Sequence, residues 1–260
     1  MIANPPDVLK ESGAIEVRKK LGTLSGGDVL DVGTEDGDFI KLLMKTLKEY
    51  TSFTGVDISE KELDKARERF KEDPVEFIVM NAESLTFQDN QFDMVCLSYT
   101  IHHLENIDSV LAEAYRVLKP GGYFIIQEMY SDGEQSDAQH VDLAVHTFDA
   151  KVDSLLGIPH FEALTRQRLR DYVDKIGLSD VEVFESSWSV NCLFCNDAHE
   201  CVNPKRADNI DYVLSQIDDS LNRMGNTSNK ELEKEAESLK ERVKSDGSAA
   251  ASVMYFFGRK

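Results

Sequence analysis

The chain is short of positive charge. Of its 260 residues, 29 are Lys or Arg and 48 are Asp or Glu, a formal charge of −19. A phosphate backbone needs a basic face, so nucleic acid is a poor partner for this surface. Anionic membranes are disfavoured for the same reason. Long apolar runs are also missing: none reaches the length of a membrane span, and no early segment has the form of a secretion signal. Cysteine is sparse, with four in all. Without a secretion signal, that usage points to a reducing cytoplasm and away from a disulfide framework. No internal repeat is visible. What remains is a chain with 41% hydrophobic residues, ample for a core. Its length fits one large α/β domain, or one domain with an insertion.

The chain is organised around residues 28–58. A short apolar run (Val29, Leu30, Val32) carries Asp31 and ends at Gly33. A polar turn, Thr34-Glu35-Asp36-Gly37, follows. Phe39, Leu42, Leu43 and Leu47 then recur at helical spacing, and a second apolar run from Phe53 to Val56 ends in Asp57. Period and length predict strand, turn, helix, strand, a right-handed βαβ unit. Its first turn lies where open α/β sheets bind ligands, at a strand's carboxyl end against a helix N-terminus. Asp57 follows the first glycine by roughly 20–25 residues, the separation at which a carboxylate reaches a ribose hydroxyl.

The turn lacks the dinucleotide fingerprint G-x-G-x-x-G, which lays a pyrophosphate on bare amides. Here the spacing is Gly33-x-Glu35-x-Gly37, with Asp31, Glu35 and Asp36 acidic. That carboxylate cluster repels phosphates and tolerates a nucleoside with a positive or zwitterionic tail.

In this stretch the sequence resembles the class I S-adenosylmethionine-dependent methyltransferases, small-molecule type. Their first motif, acidic-x-Gly-x-Gly-x-Gly, is matched by Asp31-Val32-Gly33-Thr34-Glu35-Asp36-Gly37 except at the middle glycine, where Glu35 stands. Asn81-Ala82-Glu83 occupies the place of the family's Asp-Ala, and Ile101-His102-His103 that of its apolar-His-His segment. Val117-Leu118-Lys119-Pro120-Gly121-Gly122 is the family's most recognisable later text. The resemblance covers roughly residues 25–190 plus the last strand.

Taken in order, residues 14–21 predict a short helix, which in the resembled family often covers the cofactor. Ser59 and Glu62 form a capping-box pattern, and Asp73-Pro74 ends that helix. Strands are expected at 75–80 and 92–98, the latter almost continuously apolar as in a strand covered on both faces. A helix from 107 should stop at Lys119-Pro120-Gly121-Gly122, with the fifth strand at Tyr123–Ile126. Residues 127–164 lack a strand and carry a helical pattern near 138–156; in the resembled family this region lids the substrate pocket. A helix follows up to Gly177, then strands near 181–184 and 251–257. Between these strands, residues 208–224 and 229–244 each place apolar side chains on one helical face, predicting a hairpin packed on the domain or serving as a dimer contact.

The resemblance implies a Rossmann-like αβα sandwich with a mostly parallel seven-stranded sheet and an antiparallel last strand. The domain plan is residues 1–24 as an N-terminal segment, 25–190 with 250–260 as the methyltransferase domain, and 191–249 as the insertion. The cofactor is then S-adenosyl-L-methionine, leaving as S-adenosyl-L-homocysteine. Its expected contacts are Asp31, Gly33, Thr34, Glu35 and Gly37 in the first loop, Asp57 and Ile58 at the ribose, Asn81, Ala82 and Glu83 at the adenine, and Ser98 and Tyr99 after the fourth strand. Substrate contacts by region are Tyr130 and His146. His102 and His103 are the candidates for a general base, although methyl transfer from a sulfonium needs little acid–base help. Cys192-x-x-Cys195-x-x-x-His199-x-Cys201 gathers soft ligands, but the spacing matches no zinc module, and no metal is expected there. The expected activity is in-line methyl transfer to a small molecule, by a monomer or homodimer that binds neither nucleic acid nor membrane. The alternative is a protein that binds S-adenosylmethionine or S-adenosylhomocysteine for regulation without transferring methyl. A NAD-dependent oxidoreductase is disfavoured by the missing fingerprint.

Overall fold

The apolar run that opens the motif becomes β1 (Asp28–Val32), with Val29, Leu30 and Val32 fully buried. In this computed structural model, residues 12–187, 203–225 and 229–260 are described. Strand β1 pairs in parallel with β2 (Ser52–Asp57) and β4 (Phe92–Ser98), and β2 pairs in parallel with β3 (Val75–Val79). Together with β5 (Leu118–Met129), β6 (Ser179–Ser186) and β7 (Val253–Arg259), they form a seven-stranded sheet of order β3-β2-β1-β4-β5-β7-β6. Strand β7 is reversed. Its exit residue Lys260 bonds to Gly121 and Gly122 near the start of β5, and Arg259 accepts from Ser179 at the start of β6. The fold is therefore the Rossmann-like sandwich expected, and its strand order changes direction between β1 and β4, where open sheets form a crevice.

Helices α1 (Ala14–Leu21), α2 (Asp38–Thr46), α3 (Glu60–Arg69) and α4 (Ile107–Val117) connect or flank these strands, and α6 (Arg166–Ile176) precedes β6. Each shows its sequence logic. Helix α2 buries Phe39, Ile40, Leu42 and Leu43 along one stripe. Ser59 accepts the Glu62 N–H at 3.4 Å to cap α3. Strand β5 differs from expectation at both ends, running on to Met129 in the stretch expected to lack a strand. Lys119-Pro120-Gly121-Gly122 does not separate α4 from its strand, because β5 begins at Leu118. The Pro-Gly-Gly text forms an irregularity inside β5: Phe92 pairs with Leu118, yet Met94 pairs with Tyr123. Proline lacks a ladder donor, and strands tolerate it at such bulges.

The described residues fall into two compact units. A sheet unit comprises Glu16–Glu128, Gln167–Phe184 and Met254–Lys260. A helical unit comprises the described parts of Met1–Ile15, Met129–Arg166 and Glu185–Val253. The helical unit contains α5 (Asp137–Leu155), α7 (Ala207–Arg223) and α8 (Lys230–Asp246). Ser136 and Gln139 make a reciprocal capping box at the head of α5, and Asn229 caps α8. The predicted hairpin, α7 and α8, packs its apolar stripes against α5. Val141, Phe148 and Val152 meet Val213, Ile217, Leu232, Ala236, Leu239 and Val243 in one core. The stripes that left a dimer contact open are thus used within the chain.

Candidate functional site

The crevice in the sheet unit is built by the turn after β1. Gly33 and Thr34 donate their N–H groups to Val56 O at 2.8 and 3.0 Å, which folds the turn back onto β2. Gly33 has φ +71°, and a Cβ there would lie 2.4 Å from Thr100 Cγ2. Gly37, at φ +86°, leaves no room for a Cβ against the Phe70 ring and heads α2. Glu35 stands between them at φ +50°, a left-handed conformation that suits glycine better. The backbone here keeps the glycine shape although the side chain has changed.

Two carboxylates line this turn. Asp31 is almost completely buried. Its Oδ2 accepts the Thr34 hydroxyl at 2.7 Å, while its Oδ1 has no hydrogen-bond partner among the described residues. Burial pushes the Asp31 pKa up to about 7, the Thr34 bond opposes that, and the Asp57 charge adds to it. Asp57, at the end of β2, accepts the Glu35 N–H at 3.0 Å through Oδ2 and the Ser59 N–H at 2.8 Å through Oδ1. Both oxygens are thereby fixed in direction, and each keeps further acceptor capacity. Partial desolvation raises the Glu35 pKa, and the charges of Asp36, Glu62, Asp57 and Asp38 raise it further. Arg69 holds Asp36 at 3.1 Å and also pairs with Asp38. The turn is thus strongly acidic, as its sequence suggested.

The other expected cofactor residues sit at the carboxyl ends of neighbouring parallel strands, because β3, β2, β1 and β4 all run the same way. Ile58 follows Asp57 and is 74% exposed, an apolar side chain in an unusual place. Asn81 accepts the Glu83 N–H at 2.9 Å, so its amide oxygen already closes an Asx turn and its NH2 end is the remaining donor. Ala82 is half-buried and Glu83 exposed. Ser98 pairs with Gln127 on β5, and Tyr99, at φ +52°, donates its N–H to Gln127 O at 2.9 Å. The buried Gln127 Oε1 has no partner among the described residues.

His102 and His103 follow β4 in a short 3-10 turn. His102 is buried, and its Nδ1 lies 2.8 Å from Glu128 Oε1. Glu128 Oε2 also accepts the Ile101 N–H at 2.9 Å. The pair therefore ties the turn after β4 to the end of β5. His103 is exposed, with its ring 4.3 Å from that of His102. Sequence reasoning missed Thr100, whose hydroxyl lies 3.1 Å from Val32 O and 3.0 Å from Ser98 O. It also missed the partnership of Glu128, which no local pattern marks.

In the helical unit, Tyr130 is 5% exposed and its N–H donates to Ser252 O at 3.2 Å. The Arg166 guanidinium lies 5.4 Å from its ring centre. Burial, the largest cause, and the Glu185 charge raise the Tyr130 pKa, against the Ser252 bond and the Arg166 charge. His146 lies on α5, and its Nε2 is 3.1 Å from Nε2 of His160. His160 Nδ1 is 2.9 Å from Asp153 Oδ2. Arg223 bridges Asp149 and Asp153, and Ser220 donates to Asp149 Oδ1 at 2.5 Å. Beside this network is a cavity of about 380 Å³ lined by Asp142, His146, Asp149, Asp219, Ser220 and Arg223 among others. Burial raises the Asp142 pKa to about 6, against the bond from the Ala251 N–H. Only His146 of this group was expected from sequence. The regular spacing of His146, Asp149 and Asp153 along α5 was the available signal. Cys192, Cys195, His199 and Cys201 lie outside the described residues.

Residues 30–126 match the family model described as "Methyltransferase domain". Over 103 residues the chain is 39% identical to the ubiquinone/menaquinone biosynthesis C-methyltransferase UbiE of Desulfotalea psychrophila, covering 40% of this chain and 42% of that protein. The chain thus spans less than half the length of the curated relatives it matches. A putative methyltransferase from Bacillus halodurans shares the fold at a TM-score of 0.59 and 19% identity, over 95% of this chain and 98% of that one. A phosphoethanolamine N-methyltransferase 2 from Haemonchus contortus, in complex with phosphomonomethylethanolamine and S-adenosylhomocysteine, does so at 0.54 and 20% identity, over 95% of this chain and 52% of that one.

Proposed function

We propose that this chain, whose residues 30–126 match a methyltransferase domain, transfers a methyl group from S-adenosylmethionine to a small-molecule acceptor by in-line displacement. The observation that carries this reading is the pair of carboxylates on adjacent strand ends. Asp57 is aimed by two backbone N–H groups, and Asp31 keeps a buried oxygen without a partner among the described residues. A buried acceptor left unsatisfied is costly, and a cationic donor group relieves it. The residues present fit the cofactor on that test.

When bound, S-adenosylmethionine would supply a methyl group activated by a positively charged sulfur. Asp57 would take the ribose hydroxyls. The exposed Ile58 would give the adenine an apolar surface, with Asn81, Ala82 and Glu83 at its polar edge. Asp31, Gly33, Thr34, Glu35 and Gly37 would frame the methionine end, and Ser98 and Tyr99 would border it. His102 acts as a positioning residue: Glu128 clamps its ring, and the clamp holds the turn that carries Tyr99 and Thr100.

The curated relatives named above are C-methyltransferases of quinone biosynthesis, but their similarity covers about two fifths of this chain. The family match stops at residue 126, before α5, α7 and α8 begin. Acceptor choice is therefore assigned to this chain's own helical unit, with Tyr130 and His146 as its expected contacts. The net charge of −19 and the acidic cavity support a neutral or cationic acceptor. No helix among the described residues is long and apolar enough to cross a membrane. A cytoplasmic monomer or homodimer completes the reading. Calorimetric titration with S-adenosylhomocysteine, followed by methyl transfer from labelled S-adenosylmethionine to a metabolite panel, tests it. Saturable binding with turnover supports it. Binding without turnover on any acceptor favours the regulatory alternative, and absence of binding ends both.

A further inference from the structure

We propose that the helical unit holds a divalent transition-metal site, with Asp149, Asp153 and Nδ1 of His160 as its protein ligands and His146 as the group that supports His160. Asp149 and Asp153 stand four residues apart on α5 and share a face. The chain then reverses: Ile158 N–H donates to Asp153 O at 2.9 Å, and His160 returns over the same face. His160 Nδ1 ends 2.9 Å from Asp153 Oδ2 and 3.9 Å from Asp149 Oδ2. The three ligand atoms all lie within 4.8 Å of one another. An ion bound at about 2.0–2.2 Å from each ligand draws such atoms to separations of this order.

The second observation is independent of the carboxylates. Nε2 of His160 faces Nε2 of His146 at 3.1 Å, so one of the two nitrogens must carry a proton toward the other. If Nδ1 of His160 binds a metal, its Nε2–H is the donor and His146 the acceptor. That is how metal-bound imidazoles are held, by a hydrogen bond on the nitrogen away from the ion. Asp153 and His160 are both buried, so the ligands are already withdrawn from water.

Arg223 is the competitor. Its guanidinium bridges both carboxylates, yet 41% of its side chain is exposed. Its pair with Asp149 is open to solvent on both sides and weak, and at the buried Asp153 a dication would replace the guanidinium charge as the long side chain leaves. The cavity beside Asp149 and His146 gives an ion access and leaves coordination positions for water. Carboxylate and imidazole ligands together suit zinc, manganese or iron in the divalent state.

The full chain, stripped with chelator, would be titrated with Co2+ and followed by visible absorption, and zinc content would be measured after reconstitution. One equivalent per chain without a thiolate charge-transfer band is expected. A double variant, Asp149→Asn with His160→Gln, should weaken binding by roughly tenfold or more. Cys192→Ser with Cys195→Ser should leave it unchanged. Arg223→Met keeps every ligand and alters an exposed side chain, so it should tighten binding several-fold even if the double variant fails to fold. Absence of stoichiometric binding, binding lost only in the cysteine variant, or an affinity indifferent to Arg223→Met would each overturn the proposal.

Discussion

Both units of this molecule bury a histidine with a carboxylate on its Nδ1, and they do different things with it. In the sheet unit, Glu128 gives its second oxygen to the Ile101 N–H, so the His102 pair is a clamp between two strand ends. In the helical unit, the His160 pair opens outward: Asp153 also meets Arg223, and His160 also meets His146 beside a cavity. A buried histidine on a carboxylate therefore gives fixation in one unit and a candidate for chemistry in the other. What surrounds the pair decides which.

The largest effect expected is on the clamp. Glu128→Ala leaves the Ile101 N–H and the His102 ring without their buried partner and should cost about 3 kcal/mol in denaturant unfolding. Asp153→Ala should cost less, because Arg223 and Asp149 can rearrange toward solvent; equal losses would erase the contrast. Next, Asp57→Ala should weaken S-adenosylhomocysteine binding by roughly a hundredfold, the scale of charge-assisted hydrogen bonds lost at one carboxylate. The same titration on Asp153→Ala should show little change, and a comparable loss there would break the division of labour.

Titration sharpens the comparison further. Asp31 and Asp142 are carboxyls whose folded pKa values, about 7 and about 6, lie above the ordinary 3.8. The folded state then holds protons the unfolded state has lost. Stability falls as pH rises from about 4 to the folded pKa, and it levels off above that. The slope cannot exceed about 1.4 kcal/mol per pH unit for each group. Wild type minus Asp31→Asn should show the slope up to about pH 7, and wild type minus Asp142→Asn only up to about pH 6. A cation bound near Asp31 lowers its pKa, so affinity for S-adenosylhomocysteine should rise between pH 6 and 7.5 and lose that dependence in Asp31→Asn. The smallest effect is at the turn. Glu35→Gly relieves a left-handed residue and removes one charge from an acidic cluster, so melting should rise by the equivalent of about 1 kcal/mol.

Much of the sheet unit was legible because its determinants are local. The strand–turn–helix–strand of residues 28–58 follows from apolar periodicity, and Gly33 and Gly37 mark positions where a Cβ would collide. The hairpin of α7 and α8 was legible from its stripes, but the partner that covers them was not, because α5 lies elsewhere in the chain. The start of β5 was misjudged for a similar reason. Pro120-Gly121-Gly122 reads locally as a stop, yet pairing with β4 carries the strand across it.

Sequence by itself determined the sheet order's ingredients, the acidic glycine turn and the carboxylate at the end of β2, since each depends on residues a few positions apart. Only the tertiary structure decided that Glu128 clamps His102, that Asp31 keeps an oxygen unpartnered among the described residues, and that His146, Asp149, Asp153, His160 and Arg223 meet. His146, Asp149 and Asp153 share a face of α5 by their spacing, but no period links them to His160 and Arg223, or Glu128 to His102, and chain folding alone brings those side chains within hydrogen-bonding range.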